Sequence, residues 1–278
     1  MRDAFDHCAE LVRTADRDRF IASLFAPAGR RGALHALYAF SAEIARVREV
    51  AHTALPGEIR MQWWTDAVNR ERDGEASANP VAAALLATME QYHLRREVLL
   101  DLIEARRFDL YEEPMGTLGD LEAYLRRTSS SPFSLAALIL AGAEFEAVAA
   151  PAGIASGLAQ ILRALPVHLA RHQLYLPTEI LKRHQVRLHD VFAGRSSPGL
   201  VAAFAELRDI ARRHLTTAGQ RLKELPHEAI PALLPLAVVR PWLDRSERTD
   251  PFAPTELAPW RRQWLIWRAA RNPARIAG

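Results

Sequence analysis

His168 and His172 stand four residues apart, a spacing that on a continuous helix would offer two imidazoles to one metal ion. A zinc site of that kind needs a glutamate-bearing motif beside the pair. None accompanies it, so a hydrogen-bonded or exposed pair is expected. Ser129, Ser130 and Ser131 run into Pro132 and suggest a nucleophile. No matching histidine and aspartate geometry can be argued from spacing, and a helix kink or local capping is the expected role. Glu43 and Arg46, three apart, suit either a helix-surface ion pair or the polar lining of a cavity. Trp260, Trp264 and Trp267 form a helical stripe flanked by Arg261, Arg262, Arg268 and Arg271. Packing onto the bundle is the expectation for that stripe, and a helix lying on a membrane surface is the alternative.

Composition narrows the setting. The 278 residues are 49% hydrophobic, with 36 basic residues against 33 acidic ones, a formal charge of +3. All the basic residues but Lys182 and Lys223 are arginine. A small net charge without a dense basic block argues against nucleic-acid binding. Cys8 is the only cysteine, so neither an internal disulfide nor a zinc-type cysteine cluster can form. The opening Met1-Arg2-Asp3-Ala4-Phe5-Asp6-His7 lacks the basic-then-apolar order of a secretory signal, and no apolar run is long enough to span a bilayer. A cytoplasmic protein is expected.

The elements that would position these residues are helices. Leu34, Leu37, Tyr38, Phe40, Ile44 and Val47 recur at spacings of three and four. Leu158, Ile161, Leu162, Leu165 and Leu169 do the same, as do Phe204, Leu207, Ile210 and Leu215. Pro56, Pro80 and Pro198 mark helix starts. Thr117 and Asp120 are candidate caps for the helix carrying Tyr124. Asp73 to Asn79, Glu113 to Gly116 and Gly194 to Pro198 read as loops, and Pro231 with Pro235 predict a broken helix. With no repeat and no convincing linker, one all-α domain over residues 1–278, a bundle of roughly ten helices, is expected.

Two segments carry a resemblance to a known family. Ala33-Leu34-His35-Ala36-Leu37-Tyr38-Ala39-Phe40 resembles the run into the first aspartate-rich motif of squalene/phytoene synthases. Gly157-Leu158-Ala159-Gln160-Ile161-Leu162-Arg163 leads similarly towards the second motif, and Leu174-Tyr175-Leu176-Pro177 matches the segment after it. Arg30-Arg31 and Arg106-Arg107-Phe108-Asp109-Leu110 add support up to about Pro177. The resemblance implies a terpenoid (isoprenoid) synthase fold. It also implies facing aspartate helices that hold magnesium to neutralise a prenyl diphosphate leaving group.

At those aspartates the sequence departs from the family. By the same matching, the first motif reads Ala45-Arg46-Val47-Arg48-Glu49, and the second motif's aspartates become Ala164 and His168. Only Glu49 keeps an oxygen ligand. The altered segments, Glu43-Ile44-Ala45, Arg60-Met61-Gln62-Trp63-Trp64 and Leu162-Arg163-Ala164-Leu165-Pro166-Val167-His168, resemble a subgroup of the family that includes a mitochondrial complex I assembly factor. That resemblance implies a bacterial, non-catalytic relative, with no metal and no cofactor. It would assist NADH dehydrogenase assembly through a complex I subunit or assembly protein, attached peripherally at the inner membrane. The family match implies a binding cavity with Glu43, Arg46, Glu49, Asp109, Arg163, His168, Arg171 and Tyr175 as its residues, open to an isoprenoid or lipid ligand. Two alternatives remain. One is an active, magnesium-using prenyltransferase that joins two prenyl diphosphates head to head; the other is an isoprenoid carrier without turnover.

Overall fold

The computed structural model describes residues 1–51, 53–253 and 256–278. Among these, helices and short helical turns make up the regular structure and no strand occurs. Eleven helices have eight residues or more: α1 (Arg2–Ala15), α2 (Ala28–Ala45), α3 (Ala54–Val68), α4 (Pro80–Tyr92), α5 (Arg96–Arg107), α6 (Leu118–Leu125), α7 (Ser131–Ala141), α8 (Glu146–Arg163), α9 (Pro198–Arg221), α10 (Val239–Ser246) and α11 (Pro259–Arg271). Their buried side chains join one cluster that draws on residues from Cys8 to Ala277.

Two helices organise the rest. In α2, every residue from Ala33 to Ser41 is buried. A helix apolar on all sides belongs in the interior, and α2 packs against α1, α4 and α7. Helix α8 packs on α9 and against the segment Arg126–Ser130, which forms a π turn between α6 and α7. The approach is close because α8 presents glycine there. A Cβ on Gly153 would collide with the Ser130 backbone, and one on Gly157 with the Leu125 and Ser129 side chains. The three-serine run is therefore a helix irregularity, as the sequence suggested. Ser130 Oγ donates to the Ala150 carbonyl at 2.9 Å, and Ser131 Oγ to the Arg126 carbonyl at 3.3 Å.

Local signals account for most boundaries. Thr117 and Asp120 form a reciprocal capping box at the start of α6. Pro80 and Pro198 stand at the first turns of α4 and α9. The stretch with Pro231 and Pro235 breaks into a short helix, Ile230–Leu233, and a 3-10 turn, Leu234–Val238. One expected loop is corrected: Asp73–Ala78 is a short helix. Asp73 and Glu75 place negative charge in its first turn, where the helix dipole favours it. Asn79 then caps α4 by accepting from the Val81 and Ala82 amides.

Both helices expected to carry aspartate motifs stop where those motifs would stand. Helix α2 ends at Ala45, Arg46 is a hinge, and a separate turn Val47–Val50 comes next. Helix α8 ends at Arg163, Ala164 is a hinge, and Leu165–Ala170 comes next. Pro166 explains the second break, since it removes the amide that would bond back to Leu162.

Candidate functional site

The ends of α2 and α8 meet the Val47–Val50 and Leu165–Ala170 turns around a cavity of about 630 Å3. Of the eight residues expected there, Arg46, Glu49, Asp109, His168, Arg171 and Tyr175 line it. Glu43 and Arg163 do not. Glu43 points to α3, where its carboxylate lies 3.3 Å from Arg60. Arg163 sits off the lining face of α8, which Gly157, Gln160 and Ile161 occupy, and pairs with Glu256 at 3.6 Å. Of the two readings for Glu43 and Arg46, the helix-surface pair does not form, because Arg46 turns towards Glu49 at 3.4 Å, and the cavity lining holds for Arg46 alone.

Glu49 is the pivot of the cavity mouth. Its Oε1 accepts from Arg171 Nη1 at 3.0 Å, while Arg46 Nε faces its other oxygen. The carboxylate thus links the α2 end to the segment beyond α8 through two guanidiniums. All three side chains are between one third and about half exposed, so solvent screens the pairing and the mouth can reopen at little cost.

Deeper in, Asp109 is held in a closed network. Its Oδ1 accepts from the Tyr124 and Tyr175 hydroxyls, each at 2.7 Å, and its Oδ2 from Arg106 Nη1 at 3.1 Å. The same guanidinium nitrogen donates to Tyr124 at 2.8 Å. Gln173 Nε2 donates to the Asp109 carbonyl at 2.7 Å and to Tyr175 at 3.2 Å. Burial alone would lower the Arg106 pKa, but the Tyr124, Asp109 and Tyr175 oxygens raise it overall, so a fixed cation sits at the cavity floor. Burial likewise drives the Tyr124 and Tyr175 phenols well above their ordinary value, which keeps both as neutral donors.

His168 stacks edge-on against Tyr175 with ring centroids 4.7 Å apart, and its buried Nδ1 has no hydrogen-bond partner among the described residues. His172 is not beside it. The helix ends at Ala170, His172 takes a left-handed backbone (φ 56°), and its ring stacks on Phe192. His172 is exposed, as expected, whereas His168 is partly buried and its Nδ1 is unpaired among the described residues, so the two do not act as a pair. Burial, then the charges of Arg171 and Arg106, push the His168 imidazole from 6.5 down to about 4. Because its folded value is depressed, the unfolded chain takes up the proton first as pH falls. Stability held above about pH 6.5 is then lost on the way to about pH 4. For a shift of this size the loss is about 3 kcal/mol at most. Buried His35, also lowered to about 4, acts in the same direction. Melting curves from pH 7 to pH 4.5 should show a shallower acid loss for His168→Gln than for wild type. Superimposable pH profiles would remove His168 from this account.

Several lining residues had no place among the expected site residues: Arg19, Arg48, Arg106, Tyr124 and Gln173. Arg106 lay within a matching run, and Tyr124 served only to mark a helix. Arg19 comes from a helix preceding the resembling segments and lies over the Tyr38 and Phe133 rings, at 5.3 and 5.6 Å. Arg48 faces Glu112 at 3.8 Å. Altogether, five arginines line the cavity against three carboxylates, Asp16, Glu49 and Asp109.

Comparison with known proteins places this arrangement. A match to the squalene/phytoene synthase family extends over residues 12–268. The chain belongs to the squalene/phytoene synthase family. Among curated relatives, NADH dehydrogenase (ubiquinone) complex I, assembly factor 6, of Rattus norvegicus is 29% identical over 250 residues. That alignment covers 89% of this chain and 75% of the relative. The Homo sapiens counterpart is 29% identical over 248 residues, covering 88% and 74%. A phytoene synthase of Thermus thermophilus is 32% identical over 151 residues, covering only 54% and 52%. A dehydrosqualene synthase crystal structure superposes with a TM-score of 0.84 at 18% identity, over 97% of this chain and 96% of that one. That likeness establishes the terpenoid synthase fold.

The sequence resemblance assigns five positions, Ala45, Arg46, Glu49, Ala164 and His168, to the family's metal-holding aspartates. All five line the cavity. The donors there do not fit a magnesium cluster. Glu49 is already engaged by two guanidiniums, and both Asp109 oxygens are taken by hydroxyl and guanidinium donors. Among the described residues, no three His, Cys, Asp or Glu side chains are grouped as a metal site would require.

Proposed function

We propose that this protein assists assembly of respiratory complex I (NADH dehydrogenase) and does so without prenyltransferase turnover. In this reading its cavity holds an anionic isoprenoid or lipid head group on arginines, with no metal. The observation that carries it is Glu49 held between Arg46 and Arg171, at the place where the family match calls for carboxylates around magnesium. A carboxylate so engaged is a keeper of arginines. An incoming phosphate competes for the same two guanidiniums through stronger, forked contacts. The excess of arginine over carboxylate favours that exchange. The assembly role rests on relatives named as assembly factors along most of this chain. Such a role puts the protein in the cytoplasm, at the face of the membrane that carries the complex. No described helix is long and apolar enough to cross that membrane.

Deleting the gene tests this directly. The expected result is less assembled NADH dehydrogenase on native gels, with carotenoid and hopanoid levels unchanged. Normal complex I together with depleted isoprenoid products would replace the assembly role with synthase activity.

A further inference from the structure

Helix α11 is held to the bundle by one face and leaves its largest side chains on the other. Ile266 and Ala269 are fully buried, and Arg262 ties the helix to Asp18 through contacts of 2.6 and 3.1 Å. Trp260, Trp264 and Trp267 face away, 69%, 44% and 46% exposed. The packing expected for this stripe is therefore corrected. The helix packs, but its tryptophans do not. The Arg268 guanidinium lies 4.5 Å from the centre of the Trp264 ring, and that of Arg271 lies 5.0 Å from the centre of Trp267. From Leu257 to Gly278 the sequence has five arginines and no acidic residue.

We propose that this face is a docking surface for an anionic lipid bilayer, with α11 lying in the plane of the head groups. Indole rings, apolar with one polar N–H, partition to the head-group level. Positions 260, 264 and 267 set three of them in a row along a straight helix, which suits a planar surface. Guanidiniums resting on two rings put positive charge where lipid phosphates would lie. A protein partner would need a fitted acidic surface to match this acid-free stretch, whereas an anionic bilayer supplies that charge without a fitted pocket. Lipid docking here does not require the assembly role, so the two readings fail separately.

The test uses the full chain and two kinds of vesicle, phosphatidylcholine alone and phosphatidylcholine mixed with phosphatidylglycerol. Wild type should sediment with the anionic vesicles at least about tenfold more strongly than with neutral ones. Binding should weaken as salt rises from about 0.05 M to about 0.5 M, and tryptophan emission should shift to the blue. The variant Trp260→Ala, Trp264→Ala, Trp267→Ala should lose about tenfold or more in binding while keeping its circular dichroism and melting temperature, since these side chains are exposed. Leu55→Ala, Ile59→Ala, which removes exposed apolar side chains from α3, should bind as wild type does. Equal affinity for both vesicles, equal binding by the tryptophan variant, or equal loss in both variants would overturn the proposal. So would self-association that the tryptophan variant abolishes, in the absence of vesicle binding, since it would assign the face to a second copy of the chain.

Discussion

Purified protein incubated with farnesyl or geranylgeranyl diphosphate and magnesium is expected to release no diphosphate above the uncatalysed background. An ordinary enzyme would turn over about 10 times per second, so the expected difference is many orders of magnitude. The physical reason lies in the charge at the cavity mouth. A guanidinium neutralises phosphate and offers directed donors, but its single charge spreads over a planar group, whereas magnesium concentrates two charges on a small ion. Arginines therefore bind a diphosphate better than they stabilise its departure. Restoring aspartates at Ala45 and Ala164 alone should not rescue turnover, because Arg46, Arg171 and His168 still occupy the cavity. Diphosphate release at an enzymatic rate by wild type would overturn this expectation.

The second large effect concerns folding. Asp109→Ala should destabilise the protein by about 3–5 kcal/mol, the usual cost of leaving a buried charge without its partner. Asp109 is 5% exposed, and its removal strands the Arg106 guanidinium and takes the acceptor from two tyrosine hydroxyls. Asp109→Asn keeps the shape and one acceptor oxygen, so its loss should be smaller. Denaturant midpoints of the two variants read this out. If Asp109→Ala melts like wild type, the network does not hold the floor of the cavity.

The helical class and the core faces were legible because spacing alone reports them. Leu34, Leu37, Phe40 and Ile44 are buried as their period implies, and the capping box at Thr117 needs only two residues three apart. The cavity was legible only in part. Arg46, Glu49, His168 and Arg171 could be placed there by matching, but their partners depend on hinges at Arg46 and Ala164 that redirect the chain. Pro166 signalled one of those hinges. For Arg46 we find no comparable local cause. Glu43 and Arg163 fell outside because one residue of helix turns a side chain by about 100°, enough to hand it to Arg60 or Glu256. The 3.6-residue period predicted that the tryptophans of α11 share a face. It could not say that α11 buries Ile266 and Ala269 and leaves the tryptophans outside.

The proposed function has the arginines held by Glu49 take over, without metal, the anion binding that carboxylates and magnesium would do. Calorimetric titration of a non-hydrolysable farnesyl diphosphate analogue, with and without a chelator, tests this most directly. The predicted result is equal affinity in both conditions, and a loss of at least about tenfold in Arg46→Ala, Arg171→Ala, since hydrogen bonds to charged groups contribute about 1.5–3 kcal/mol each. Arg163→Ala, outside the cavity and paired with Glu256, should bind as wild type does. Affinity abolished by the chelator, or unchanged in the double variant, would contradict metal-free binding by these arginines.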